Sequence, residues 1–121
     1  MAVLIVDDDR DIREMLAQTL EDEGYEVLTA ASGREAMALL TSTHTPPCVI
    51  LLDLMMPGMN GWEFRAAQQR DPRLAAIPVV VLSARTDLPS ATATMAGVHY
   101  LAKPIDFDTL MDTIARHCGD R

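Results

Sequence analysis

Three carboxylates stand at the ends of two apolar segments. Asp7 and Asp8 directly follow residues 2–6, and Asp53 closes the run of residues 48–53. Carboxylates crowded at one site repel one another unless a cation compensates their charge. Mg²⁺ takes oxygen ligands and typically binds one or two protein carboxylates together with several waters. The pattern therefore predicts a Mg²⁺ site in which Asp8 and Asp53 bind directly and Asp7 binds directly or through water.

A hydroxyl and an ammonium group stand at the ends of two later apolar segments. Ser83 ends residues 77–83, and Lys103, the only lysine in the chain, follows residues 98–101. A carboxylate can attack phosphorus covalently, and phosphoryl transfer mainly requires in-line positioning and neutralisation of the equatorial oxygens. Asp53 is therefore a candidate nucleophile, while Mg²⁺, Lys103 and the Ser83 hydroxyl are candidates to contact those oxygens.

Strand-like and helix-like segments alternate along the chain. Short apolar runs indicate strands over residues 2–6, 25–30, 48–53, 77–83 and 98–101. Helical spacing indicates four helices. The first runs from Ile12 to a cap at Gly24, and the second follows a capping box of Ser32 and Glu35. The third covers residues 62–70, and the last runs from Phe107 through Ile114. The alternation predicts one α/β domain over residues 1–121, with a parallel sheet covered on both faces. Since ligands bind at the carboxyl ends of such strands, the polar residues described above should converge.

The segment between the fourth and fifth strands is the least regular part of this pattern. Residues 87–96 should contain the fourth helix, but Pro89, Thr92 and Thr94 give them a low helix propensity. We therefore expect a short or mobile helix there.

Composition argues against several classes of function. A formal net charge of −8 disfavours direct nucleic-acid binding, which relies on clustered Lys and Arg, and favours a protein partner. No stretch approaches the roughly 18 to 20 consecutive apolar residues of a membrane span, and the N-terminus lacks a secretory pattern. We expect a cytoplasmic protein without membrane insertion.

Cysteines and histidines show no metal-ligand spacing. Cys48 and Cys118 lie far apart in sequence, and we expect them to be free thiols without a role. His44, His99 and His117 are expected at the surface or at its boundary with the core.

Four segments resemble bacterial response-regulator receiver domains of the single-domain, chemotaxis-regulator kind. They are Val3–Asp9, Leu51–Gly61, Val81–Ala84 and Tyr100–Pro104, and the likeness covers essentially the whole chain. The resemblance implies a flavodoxin-like (βα)5 fold, a doubly wound five-stranded parallel sheet of order 2-1-3-4-5. No output domain is expected within this chain.

The resemblance also implies a chemical role for each motif residue. Asp53 would take a phosphoryl group from a histidine kinase or phosphotransfer protein, with Mg²⁺ held by Asp7, Asp8, Asp53 and the Met55 carbonyl. Such a domain catalyses only its own phosphorylation and dephosphorylation, so we do not expect an enzyme in the ordinary sense.

A switch is implied as well. In the family, the hydroxyl at the Ser83 position moves toward the phosphoryl group and the aromatic residue at the Tyr100 position turns inward. This remodels the face formed by helix four, strand five and helix five, which contacts a downstream protein partner and can support a phosphorylation-linked dimer. A cis peptide bond before Pro104 is implied too.

Other classes of protein share parts of this pattern. A receiver-like module could bind partners without being phosphorylated, and the complete set of acidic, hydroxyl and lysine residues counts against it. A phosphatase resembling the haloacid dehalogenase family would need a second acid where Met55 stands. A dinucleotide-binding protein would need a glycine-rich turn after the first strand, where Asp7–Asp9 stands. Asp7–Asp9 could also simply cap a helix, and Tyr100 could be a packing aromatic.

Overall fold

Strands and helices alternate throughout the described part of the chain. The computed structural model describes residues 2–43, 45–54, 56, 58–83, 98–103 and 105–119. The elements are β1 (Ala2–Val6), α1 (Arg10–Asp22), β2 (Glu26–Ala30), α2 (Gly33–Ser42), β3 (Val49–Asp53), α3 (Gly61–Arg70), β4 (Val79–Ser83), β5 (His99–Ala102) and α4 (Phe107–Cys118). Each lies where the sequence predicts it, with ends shifted by one or two residues at most, except that the last helix continues four residues past Ile114 to Cys118. Helix α4 is the fifth helix of the predicted pattern, because the fourth, expected over residues 87–96, lies outside the described residues.

The strands form one parallel sheet in the order β2-β1-β3-β4-β5. This confirms the predicted flavodoxin-like topology. Asp53 pairs with Leu82, and Ser83 pairs with Ala102, so the carboxyl ends of β3, β4 and β5 reach one edge of the sheet together. Among the described helices, none combines the length and apolar character that crossing a membrane requires.

Two hydrophobic cores cover the faces of the sheet. Helices α1 and α4 pack on one face, where they contribute Leu16, Leu20, Leu110 and Ile114. Helices α2 and α3 pack on the other, where they contribute Ala36, Leu40 and Phe64. Strands β3 and β4 are buried along their whole length. Burial on both faces explains why these strands are continuous apolar runs rather than alternating patterns.

Side-chain caps determine where the first two helices begin. The Asp9 carboxylate accepts hydrogen bonds from the backbone N–H groups of Asp11 at 2.9 Å and Ile12 at 3.2 Å. The Ser32 hydroxyl accepts one from the Glu35 N–H at 3.1 Å. These bonds satisfy donors that have no partner inside the helix. Asp9 thus caps α1, while Asp7 and Asp8 precede the cap.

A buried glutamine connects α3 to the segment that leads into β4. Gln68 is fully buried, and its Nε2 donates to the carbonyl oxygens of Leu74 at 2.9 Å and Ile77 at 3.0 Å. Its Oε1 accepts from Arg65 Nη1 at 2.8 Å, and burial lowers the pKa of that guanidinium. Because residues 71–77 lie outside any strand or helix, these bonds help to fix where β4 starts.

The two cysteines form a disulfide, so the expectation of free thiols is wrong. Cys48 and Cys118 are bonded with their Cα atoms 5.3 Å apart, although 70 residues separate them in sequence. Cys48 immediately precedes β3, and Cys118 is the last residue of α4. Packing of α4 on the sheet face that contains β3 brings them together, and no local spacing reveals such a contact.

Reduction of this disulfide should lower the free energy of unfolding by about 2–4 kcal/mol, because the unfolded chain regains the entropy of a long closed loop. Urea unfolding of oxidised and reduced protein measures the difference. The Cys118→Ser variant is the control. Its free energy of unfolding should match that of the reduced protein and should not change when reductant is added. Equal midpoints for the oxidised and reduced wild type would contradict the expectation.

Candidate functional site

Three carboxylates meet at the carboxyl edge of the sheet. Asp7 and Asp8 follow β1, Asp53 ends β3, and each offers an oxygen within 4.8 Å of the others. Asp7 and Asp53 are only 2% and 8% exposed, whereas Asp8 is exposed. The structure therefore brings together the acidic residues that the sequence singled out, with one of them open to solvent.

The ammonium group of Lys103 lies against this cluster. Its Nζ is 3.3 Å from Asp7 Oδ2, and the lysine side chain is 18% exposed. The Lys103 backbone N–H donates to the Ser83 carbonyl at 2.9 Å. This bond extends the pairing of β5 with β4 and fixes the position of the Lys103 backbone, from which the side chain reaches the cluster. Because water has little access to this ion pair, removal of Lys103 would leave the Asp7 carboxylate without the ammonium charge that compensates it.

Asp7 is held from several directions. Its Oδ1 accepts from the Asp9 N–H at 2.9 Å, and its own N–H donates to the Ala30 carbonyl at 3.2 Å. Arg13 Nη1 donates to the Asp7 carbonyl at 2.8 Å. Arg13 is a supporting residue that the sequence analysis missed, because an arginine on an amphipathic helix is usually a solvent-facing residue. These bonds and the Lys103 contact fix the position of the Asp7 carboxylate.

The remaining predicted residues occupy neighbouring positions. Ser83 is 2% exposed at the end of β4, next to the strand that ends in Asp53. Tyr100, on edge strand β5, is 44% exposed. Met55, expected to offer a backbone carbonyl to the metal, and Pro104, expected to follow a cis peptide bond, both lie outside the described residues.

A glycine allows α3 to begin directly behind Asp53. Asn60 and Glu63 form a reciprocal capping box at the start of this helix, and the Gly61 N–H donates to the Leu54 carbonyl at 3.0 Å. A Cβ atom on Gly61 would lie 2.8 Å from Leu54 Cα and 3.0 Å from the Asp53 carbonyl oxygen. Only glycine lets the two backbones approach this closely.

The Gly61→Ala substitution should cost about 1–3 kcal/mol of stability, because the added methyl group must displace backbone atoms next to Asp53. Gly33→Ala is the comparison variant, since Gly33 also begins a helix but the two nearest atoms to its added Cβ belong to the Met59 side chain, followed by the Met59 carbonyl oxygen at 3.0 Å. Urea unfolding measures both. A Gly61→Ala variant as stable as wild type, or less affected than Gly33→Ala, would contradict this explanation.

The charges and donor atoms of the site fit a hard divalent cation. Three carboxylates face a single ammonium group, and every candidate ligand atom is an oxygen. Mg²⁺ prefers such ligands and keeps waters, which the exposed side at Asp8 can accommodate. A divalent cation would offset the excess negative charge that Lys103 leaves.

The fold and the site define the class of this protein. It is a flavodoxin-like α/β domain with an acidic cluster and a lysine at the carboxyl edge of its parallel sheet. The family model of the response regulator receiver domain matches residues 3–115, and the chain belongs to that family. The family consists of signalling modules rather than classical enzymes, and magnesium binding at an acidic pocket is typical of it.

Known relatives agree with this assignment. The chain is 34% identical over 114 residues to the protein PilH of Pseudomonas aeruginosa, covering 93% of each. It is 36% identical over 118 residues to the C4-dicarboxylate transport transcriptional regulatory protein DctD of Rhizobium meliloti, covering 95% of this chain but 25% of that protein. The structure of the Vibrio cholerae chemotaxis protein CheY4 superposes with a TM-score of 0.85 at 36% identity, covering 96% of this chain and 97% of that one.

Proposed function

We propose that this protein is a phosphorylation-dependent signalling switch whose acceptor is Asp53. The observation that carries the proposal is the meeting of three carboxylates and the Lys103 ammonium at the carboxyl edge of the sheet. A histidine kinase or phosphotransfer protein in the cytoplasm would supply the phosphoryl group. We propose a single receiver domain over residues 1–121 as the unit that accepts it.

Asp53 is suited to act as the nucleophile in this transfer. A lone pair of its carboxylate oxygen would form the new O–P bond while the P–N bond to the donor imidazole breaks, and the leaving imidazole would take up a proton. Asp53 is 8% exposed, so an acyl phosphate formed there would be partly shielded from water. The exposed neighbour Asp8 leaves one side of the site open for the donor.

Mg²⁺, held by Asp8 and Asp53 with Asp7 and the Met55 carbonyl as further ligands, would supply positive charge to the phosphoryl oxygens. Lys103 would turn its ammonium from Asp7 toward one of those oxygens, and the buried Ser83 hydroxyl would donate to another. Lys103 and Ser83 would stabilise the phosphoryl oxygens by charge and hydrogen bonding, without forming covalent bonds to the phosphoryl group. The chain would thus catalyse only its own phosphorylation and dephosphorylation.

Ser83 and Tyr100 are proposed to transmit the change. Both lie on adjacent strands, since Tyr100 pairs with Val81 two residues before Ser83. A shift of Ser83 toward the phosphoryl group would open space beside β5, and the exposed Tyr100 ring would turn inward to fill it. A downstream protein partner, or a second phosphorylated copy, would then bind the face formed by residues 87–96, β5 and α4.

Phosphorylation can be tested by intact mass spectrometry after incubation with Mg²⁺ and acetyl phosphate or phosphoramidate. We expect one adduct of about 80 Da, the mass of a phosphoryl group, on wild type. The Asp53→Asn variant should gain no adduct, and neither should wild type in a chelator. Peptide mapping should assign the modification to Asp53.

A folded wild type that gains no adduct at any Mg²⁺ concentration would contradict the proposal. It would support a receiver-like module that binds partners without phosphorylation. Circular dichroism of each variant separates loss of chemistry from loss of fold.

A further inference from the structure

Two histidines meet at the end of β5 opposite to the acidic cluster. His99 begins β5, His117 lies in the last turn of α4, and their ring centroids are 5.6 Å apart with the planes inclined by 46°. His99 is exposed and His117 is half-buried. Because Lys103 follows the carboxyl end of β5 and His99 stands at its amino end, the pair is separate from the acidic site.

The two rings line a surface cavity of about 360 Å³ between β5 and α4. The charged groups in its lining are one acid, Asp112, and one base, Arg116, and the hydroxyls of Thr109 and Thr113 are also present. The cavity is open to solvent, and it presents imidazole nitrogens together with a carboxylate and hydroxyls.

The neutral form of His117, which is the form that binds metals, is favoured by its surroundings. Burial lowers the pKa of His117, and the charges of His99 and Arg116 lower it further. Only a neutral imidazole has a free nitrogen lone pair for a metal ion. The same proximity that disfavours two protonated rings would favour a cation held between two neutral ones.

We propose that His99 and His117 together bind a divalent transition-metal ion of borderline softness, such as Zn²⁺ or Cu²⁺. A histidine nitrogen lies about 2.0–2.1 Å from bound Zn²⁺, so two imidazoles at a tetrahedral ion have ring centres roughly 5 Å apart. The observed 5.6 Å is close to this spacing. Within the described residues, the only group of three acidic, histidine or cysteine side chains close enough to share an ion is the acidic cluster. Waters would therefore complete the coordination.

The two sites would discriminate between cations by their donor atoms. Imidazole suits Zn²⁺ and Cu²⁺, whereas the carboxylates of the acidic cluster suit Mg²⁺. An ion between His99 and His117 would also link the last turn of α4 to the edge strand. Metal binding would thus couple to the β5–α4 surface without requiring phosphorylation.

The test is a titration of the full chain with Zn²⁺ and with Cu²⁺ by calorimetry, in saturating Mg²⁺ and without reductant. Excess Mg²⁺ would compete for the acidic cluster under the proposed function, and the disulfide removes thiolate ligands. We expect one site whose affinity falls at least about tenfold in His99→Gln and in His117→Gln, because each loses one of two protein ligands. His44→Gln is the matched control and should bind as wild type does.

Two further readouts separate this site from adventitious binding. Electron paramagnetic resonance of the Cu²⁺ complex should show two nitrogen ligands in wild type and one in each variant. Binding should weaken as the pH falls from 7.5 to 5.5, because protons compete for the imidazoles. An absence of Zn²⁺ and Cu²⁺ binding, or binding that neither His99→Gln nor His117→Gln weakens, would overturn the proposal.

Discussion

The mutual repulsion of three carboxylates at one edge of the sheet is the constraint on which the site depends. Asp7 and Asp53 are almost fully shielded from water. The single positive charge of Lys103 compensates only part of the combined negative charge of Asp7, Asp8 and Asp53. Such an arrangement lowers stability for the sake of function. It also makes binding of a divalent cation favourable, and a phosphoryl group, which brings its own negative charge, would need that cation and Lys103 together.

Rigid elements hold this unfavourable cluster in place. Two carboxylates extend from the end of β1 before the Asp9 cap begins α1, and the third ends the fully buried β3. Gly61 lets α3 start against the backbone of Asp53, which leaves that strand end little freedom. Strand β5 also positions a candidate functional residue at each end. Its carboxyl end leads to Lys103, and its amino end carries His99.

The fold and the main site residues could be predicted because the signals are local. Buried strands of a parallel sheet are short apolar runs, and the polar residue that ends each run lies at the carboxyl edge. Contacts between distant segments leave no such signal. The pairing of Cys48 with Cys118 depends on the packing of α4 against the sheet, 70 residues away in sequence. The bonds of Arg13 to the Asp7 backbone and of Gln68 to the Leu74 carbonyl span only six residues each, but they depend on how the chain turns between elements, which no residue pattern reveals. A disulfide is uncommon in cytoplasmic proteins, so composition alone favoured free thiols.

The most direct test of this account is the effect of Mg²⁺ on the stability of wild type and of Asp8→Asn, measured by urea unfolding. In a chelator, Asp8→Asn should be more stable than wild type by about 1 kcal/mol, the energy of two like charges about 4 Å apart in a high dielectric. Mg²⁺ should stabilise wild type and have much less effect on the variant. Glu26→Gln, which removes an exposed charge far from the cluster, should follow wild type. An Asp8→Asn variant no more stable than wild type in chelator, together with no response of wild type to Mg²⁺, would contradict the account.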